Sequence, residues 1–353
     1  VSFTSGTTGP PKGVLMTERM LRACATGAAI ASEVRAQDVF LLWEPLYHSS
    51  GAQMCILALV EPVTLIIVRR FSASRFWRII KNYKVTKIHY LGGIIDILLK
   101  QPPTPDDKNH YARTAFGGGC RKENWRAFEK RFSVKIQECY GMTEASGFTT
   151  VNTSGKVGSI GKPYPYFDVQ IIGDDGLPVK AGQCGEIIVR EKEPGLITQG
   201  YLKNREATVA ALQGGWLHTG DMGKYDEEGD FYYMGRKKDS IRRRGENISA
   251  WEVERVLNSH PDIKESAVIG VDAEIGEQDL KAVVVCAAGA AIKPLDIIKW
   301  CRPRMPHYQI PRYIAFVESF EKTPTERIRK EKISRDTNGC WDIEKSGYKL
   351  NRL

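Results

Sequence analysis

The sequence predicts an α/β protein in two unequal parts. A larger part is built from strand–helix–strand units and ends in a lobe of short strands. A small α+β part closes the chain. Three observations carry this. Strand-like apolar runs alternate with amphipathic segments from Val39 to Cys139, the rhythm of helices layered on a sheet. From about residue 165 this rhythm gives way to short strands and turns. Beyond about residue 245 two helical patterns and three strands recur in a short length of chain. The 353 residues, 42% of them hydrophobic, allow two domains with sizeable cores.

In chain order, Ser2 and Phe3 end a strand, and residues 18–33 form a helix with Leu21, Cys24 and Ala28 on one side. Val39 to Trp43 is a short strand running into Pro45-Leu46-Tyr47-His48-Ser49-Ser50-Gly51. Val63 to Val68 is a continuous, mostly β-branched run, as expected of a buried strand in a parallel sheet. Ser72 is placed to cap a helix whose Phe76, Ile79, Ile80 and Tyr83 share a face. Lys87 to Leu91 is the next strand, and the Pro- and Asp-rich residues 102–109 form a surface loop. Gly117-Gly118-Gly119 follows a short strand and precedes a helix carrying Trp125, Phe128 and Phe132. Val134 to Cys139 is a strand that delivers Tyr140. The lobe contributes Asp168 to Ile172, Gly173 to Leu177, Gly185 to Arg190 and Phe231 to Met234. The last part has a helix with Trp251, Val253, Val256 and Leu257, and strands at Ala267 to Val271 and Leu280 to Ala287. A helix over 293–302 and a strand from Tyr313 to Val317 complete it.

A net charge of +9 suits polyanionic ligands. Zinc-finger spacing and an Arg/Gly-rich tail are both missing, so nucleic acid is not an expected partner. The eight cysteines include no Cys-x-x-Cys pair, which points to a reducing compartment. With no visible signal peptide and no apolar run of about 18 residues, the expectation is a cytoplasmic protein without a membrane span.

Chemistry concentrates in residues 2–14, where three glycines, five hydroxyls and one lysine fall together. Glycine lets backbone approach a ligand closely. Bare N–H groups and hydroxyls suit phosphate oxygens, and Lys12 adds a mobile charge. A Walker loop needs Gly-Lys followed by Ser or Thr. Here Lys12 precedes Gly13, so the string is not one. By itself it also fits a plain Ser/Thr/Gly-rich turn. His48 alone fits a structural role, Glu144 and Asp221 loop acids, and the six basic residues of 236–244 a solvated face.

The string resembles the phosphate loop of the adenylate-forming superfamily of acyl-CoA synthetases, luciferases and peptide-synthetase adenylation domains. Tyr140-Gly141-Met142-Thr143-Glu144 resembles that family's Tyr-Gly-x-Thr-Glu motif. Thr219-Gly220-Asp221 resembles its Thr-Gly-Asp motif, and Gly235-Arg236-Lys237-Lys238-Asp239 with Arg244-Gly245-Glu246-Asn247-Ile248 resembles its hinge region. Thr323-Pro324-Thr325-Glu326 with the tail, Trp341-Asp342 and Gly347-Tyr348-Lys349, is similar to the branch of crotonobetaine/carnitine-CoA ligase-like enzymes.

The resemblance implies an α/β fold with a layered large domain, incomplete here because a large N-terminal part is absent. It also implies a small β-barrel lobe and a small α+β C-terminal domain. The implied boundaries are 1–238, then 239–333 with a hinge at Asp239, then a tail over 334–353. The implied activity is an ATP-dependent acyl-CoA ligase acting on a small carboxylic acid, with Mg²⁺ and with coenzyme A as co-substrate. The implied ATP site takes Thr4, Ser5, Gly6, Thr7, Thr8, Gly9 and Lys12 at the phosphates, Gly117, Gly118, Gly119 and Tyr140 at the adenine, and Gly141 within the nucleotide site. Thr143 touches phosphate, Glu144 holds Mg²⁺, and Asp221 and Arg236 hold the ribose. His48 lies by the acyl pocket, and Arg244, Gly245 and Glu246 form the CoA-side loop. Arg327 stands where the family has a catalytic lysine, and Glu326 where glycine is common. Two rivals follow: an adenylation domain loading a carrier protein, and a catalytically impaired nucleotide-binding remnant.

Overall fold

The computed structural model describes residues 1–4, 12–243, 246–273, 277–323 and 326–348. The chain divides into two compact units. The first is Val1–Thr219 with Gly223–Tyr233 and Thr323–Arg327; the second is Gly220–Met222 with Met234–Lys322 and Ile328–Leu353.

The first unit opens with a hairpin, β1 (Ser2–Phe3) antiparallel to β2 (Gly13–Val14). Helix α1 (Glu18–Ser32) begins at Thr17, whose side chain accepts the Met20 N–H, a standard N-cap. Next come β3 (Val39–Leu42), α2 (Ser49–Val60), β4 (Thr64–Ile67), α3 (Phe76–Asn82), β5 (Lys87–Leu91) and α4 (Ile94–Leu99). They are followed by β6 (Thr114–Gly118), α5 (Lys122–Phe132), β7 (Lys135–Met142), β8 (Gly147–Val151) and β9 (Lys162–Pro163). The strands form one sheet in the order β4-β3-β5-β6-β7-β8-β9. The five from β4 to β7 are parallel, and β8 and β9 join antiparallel.

Successive strand residues point to opposite faces, and β3 shows the consequence. Phe40 and Leu42 join a core with Ala25 and Ala28 of α1 and Met54 and Leu57 of α2. Leu41 joins a second core with Phe76 of α3, Leu98 of α4, and Trp125 and Phe132 of α5. Helices therefore cover both faces of the sheet, and each fully buried large side chain contributes roughly 1.5–3 kcal/mol.

Three local expectations change. The run at Val63 to Val68 does form a parallel strand, but β4 is the sheet edge and Ile67 is exposed. Ser72 caps nothing: its hydroxyl accepts from Arg75 Nε at 3.2 Å, and α3 starts four residues later. Tyr83 falls just beyond α3 and is exposed, because the helix ends at Asn82 and the buried face is Phe76, Trp77 and Ile80.

The lobe contains β10 (Phe167–Ile172), β11 (Gly185–Glu191), α6 (Arg205–Ala211), β12 (Leu212–Gln213), β13 (Trp216–Tyr225) and β14 (Phe231–Arg236). Its sheet runs β10-β11-β13-β12, with β14 also paired to β13. Gly173 to Leu177 is the turn that returns β10, closed by Gly173 N–H to Leu177 O at 2.9 Å. Gly220–Met222 and Met234–Arg236 of β13 and β14 group with the second unit.

That unit continues with a hairpin of β15 (Ser240–Arg243) and β16 (Glu246–Ser249) and then α7 (Ala250–Asn258). Strands β17 (Ile263–Asp272) and β18 (Gln278–Cys286), helix α8 (Pro294–Cys301), and strands β19 (Tyr313–Phe316) and β20 (Trp341–Asp342) complete it. The sheet order is β17-β18-β19-β20. Val253 and Leu257 of α7 pack with Ile297, Ile298 and Cys301 of α8 over the apolar face of the sheet. The tail is part of this sheet: β20 pairs with β19, and Asp342 meets the buried Arg312 at 3.3 Å. No helix among the described residues is long and apolar enough to cross a membrane.

Candidate active site

The β1–β2 hairpin sets the neck of the loop. Thr4 N–H reaches Lys12 O, and Lys12 N–H reaches Thr4 Oγ1, both at 3.0 Å. Ser5, Gly6, Thr7, Thr8 and Gly9 lie outside the described residues. From the neck a connected path runs inward. Lys12 Nζ lies 4.8 Å from the ring centroid of Tyr201, a cation–π contact. The Tyr201 hydroxyl donates to Glu144 Oε1 at 2.8 Å. Glu144 is buried, and its carbonyl accepts Thr198 N–H at 2.8 Å. The neighbouring Thr143 Oγ1 lies 3.2 Å from Ser49 Oγ at the start of α2. Lys12, Thr143 and Glu144 are thus brought together. The sequence alone assigns no role to the joining residues, Tyr201 and Ser49, although Ser49 stands within the Pro45–Gly51 string.

His48 is the N-cap of α2. Its Nδ1 accepts Ser50 N–H at 3.2 Å and lies 2.6 Å from Ser50 Oγ. Nδ1 is therefore an acceptor, which assigns the proton of the neutral ring to Nε2. Burial, then the positive charge of Arg327, then His89 lower its pKa from 6.5 to about 4, so the imidazole is neutral at pH 7. Arg327 N–H reaches Thr323 Oγ1 at 3.2 Å, and Thr323 N–H reaches Arg327 O at 2.8 Å. Glu326, in the same turn, has φ 62°. That left-handed conformation suits glycine, which gives a physical reason for glycine being common at this position.

Gly117–Gly119 lies at the C-terminal end of β6. Gly117 has φ 149°, and a Cβ there would come within 1.9 Å of Tyr90 O on the neighbouring strand. At Gly141 a Cβ would meet Gly147 O at 1.8 Å. Bare backbone is obligatory at both. Tyr140 is buried, with its ring 6.1 Å from that of Tyr233.

In the second unit Asp221 and Arg236 meet, Oδ1 to Nε 2.7 Å, with Asp221 buried. Asp239 is 3.6 Å from Lys330 Nζ, which is also 2.7 Å from Glu254. Burial works against the Lys330 charge, but Glu254 and Asp239 outweigh it and raise its pKa. Glu246 is exposed opposite Arg243 in the β15–β16 hairpin. Arg244 and Gly245 lie outside the described residues.

Among the described residues no three His, Cys, Asp or Glu side chains gather as a metal cage. The Glu144 carboxylate beside the Thr143 hydroxyl is a hard oxygen set. It fits Mg²⁺ held jointly with substrate phosphates rather than by protein alone.

Comparison with known proteins identifies the family. Residues 1–202 match the family model of AMP-binding enzymes, and residues 252–327 match that of the AMP-binding enzyme C-terminal domain. The chain is 31% identical over 339 residues to a crotonobetaine/carnitine–CoA ligase of Escherichia coli. The match covers 94% of this chain and 66% of the ligase, so the chain spans just under two thirds of that relative's length. An o-succinylbenzoate CoA synthetase from Bacillus subtilis, solved with its acyl-adenylate intermediate, superposes with a TM-score of 0.82. It is 27% identical, over 94% of this chain and 68% of that one. The same synthetase with ATP and magnesium ion gives a TM-score of 0.81 at 27% identity and the same coverage. With more than half of its length matched by the family model, and its layered fold and small C-terminal domain shared with these structures, the chain belongs to the family of AMP-binding enzymes.

Proposed function

We propose that the chain acts as an ATP-dependent acyl-CoA ligase. A carboxylate oxygen attacks the α-phosphorus of ATP, the bond to the bridging oxygen of pyrophosphate breaks, and acyl-adenylate and pyrophosphate form. The sulfur of coenzyme A then attacks the acyl carbon, the thiol proton is lost, and AMP leaves.

The observation that carries this reading is the path Lys12–Tyr201–Glu144 at the neck of the loop, with Thr143 beside it. A cation, a hydroxyl and a carboxylate in contact suit a triphosphate with its metal. Residues Thr4 to Gly9 and Lys12 hold the β- and γ-phosphates, and Thr143 contacts phosphate. Glu144 would hold Mg²⁺, which would supply positive charge against the negative charge of the phosphates. The bare backbone of Gly117 to Gly119 and the Tyr140 ring take the adenine. Asp221 accepts the ribose hydroxyls beside Arg236. Neutral His48 presents Nε2–H to the carboxylate, and Arg327 carries the positive charge at the α-phosphate. Its influence on His48 supports that assignment, whereas the ion pairs of Lys330 with Glu254 and Asp239 disfavour Lys330. Asp239 is the hinge about which the small domain turns between the two steps. That motion brings the Arg244–Glu246 loop to coenzyme A.

The test is ATP–pyrophosphate exchange with a panel of carboxylic acids, crotonobetaine and carnitine first, followed by transfer to coenzyme A or to a carrier protein. Exchange plus CoA thioester formation is expected. Exchange with transfer only to a carrier protein favours a loading domain. Nucleotide binding without exchange for any acid favours the impaired remnant.

A further inference from the structure

Glu138 is a buried acid on β7 that the reading above leaves unused. It lies opposite Gly117 in the β6–β7 register. Its Oε1 accepts Gly119 N–H at 2.5 Å and Cys120 N–H at 3.1 Å. Its Oε2 accepts Cys120 N–H at 3.2 Å and the Tyr90 hydroxyl from β5. No cation among the described residues forms an ion pair with it. A buried carboxylate is tolerated only where donors satisfy it, and here three donors converge from two other segments.

The segment it grips cannot hold itself. Gly117, Gly118 and Gly119 have no side chains to pack, and both Gly117 and Gly119 have positive φ, 149° and 112°. Gly119 packs on Gly92, where a Cβ would meet backbone at 2.8 Å. A bare strip that must present a fixed plane therefore takes its position from a neighbouring strand.

We propose that Glu138 is the positioning residue for adenine recognition: its carboxylate fixes the N–H groups of Gly119 and Cys120, and so the plane of backbone on which the base lies. This rests on the reading that Gly117 to Gly119 faces the adenine.

The experiment is calorimetric titration of the 353-residue chain with ATP and, separately, with inorganic tripolyphosphate, which has no base. In Glu138→Ala the affinity for ATP should fall tenfold or more while that for tripolyphosphate stays within twofold. In Glu138→Gln, whose amide oxygen still accepts N–H, ATP affinity should stay within threefold at pH 7.5. Equal loss of both ligands in the alanine variant, or no loss of ATP, overturns the proposal. A wild-type chain that binds tripolyphosphate but not ATP overturns the adenine reading, and the proposal with it.

If Glu138→Ala fails to fold, a pH profile decides. Burial pushes the Glu138 carboxyl up to about 8, against its donors. Ionisation frees both oxygens to accept, so wild-type affinity for ATP should rise severalfold from pH 7 to pH 9 while Glu138→Gln stays flat. The groups facing this carboxyl are the Tyr90 hydroxyl and the Cys120 and Cys139 thiols, all pushed upward chiefly by burial. The Arg121–Asp96 ion pair, at 2.7 Å, lies beside Cys120. Parallel profiles for the two proteins overturn the proposal.

Discussion

Acidification tests the environment of His48 directly. Burial, the Arg327 charge and His89 hold its folded pKa at about 4, against 6.5 for the free group. Above pH 6.5 the ring is neutral in folded and unfolded chains alike, and no linkage arises. As pH falls below 6.5 the unfolded chain takes up a proton that the folded chain refuses until about pH 4. The unfolded state then binds more protons, so stability falls with pH across that window. A gap of about 2.5 units at 1.36 kcal/mol each amounts to about 3 kcal/mol, all of it lost by pH 4. The control is His48→Asn, since asparagine can still cap α2 but does not titrate. NMR titration of the six histidines, with His48 assigned by that variant, should show a resonance that begins to move only below about pH 5. Denaturant unfolding at pH 7 and pH 4.5 should show wild type losing roughly 2–3 kcal/mol more than His48→Asn. Arg327→Ala should move the midpoint upward but leave it below 6.5, because burial is the larger cause. A wild-type midpoint near 6.5, or the same acid loss in both proteins, would refute the reasoning.

Three further outcomes are expected. Glu144→Gln should lose Mg²⁺-dependent turnover by about 10² or more, the scale of one well-placed group at a developing charge. Metal-free AMP binding should change far less; an equal loss of both would make Glu144 structural. Asp221→Ala removes the carboxylate proposed to accept the ribose hydroxyls, so ATP and AMP should both bind at least tenfold more weakly in equilibrium titrations, and unchanged affinity would reject its ribose role. Arg327→Lys should speed adenylation in single-turnover kinetics, because arginine's planar fork is a poor substitute for a compact ammonium. Thioester formation from supplied acyl-adenylate should not change, and a lysine variant no faster than wild type counts against the assignment.

What the sequence determined by itself was local or strictly ordered. The strings at Ser2–Val14, Tyr140–Glu144 and Thr219–Asp221 carry their chemistry in contiguous residues, and their order along the chain points to the family. The alternation of apolar runs set the layered fold, because periodicity is a property of neighbouring residues. The tertiary structure decided what depends on partners far along the chain. Whether Val63 to Val68 is central or at the edge depends on strand order, which periodicity does not encode, and the sheet left β4 outermost. Ser72 has a capping residue's chemistry, but Arg75 took its hydroxyl and α3 began later. Trp341 and Asp342 read as tail until β19 offered them an edge. The same holds within the site. Tyr201 reaches Glu144 across 57 residues, Ser49 reaches Thr143 across 94, and Tyr90 reaches Glu138 across 48. No spacing rule links such pairs. Tyr90 and Glu138 meet because the parallel strands β5 and β7 flank β6 in register, Ser49 and Thr143 because each follows a strand of the same sheet, and Tyr201 comes from a loop outside that sheet.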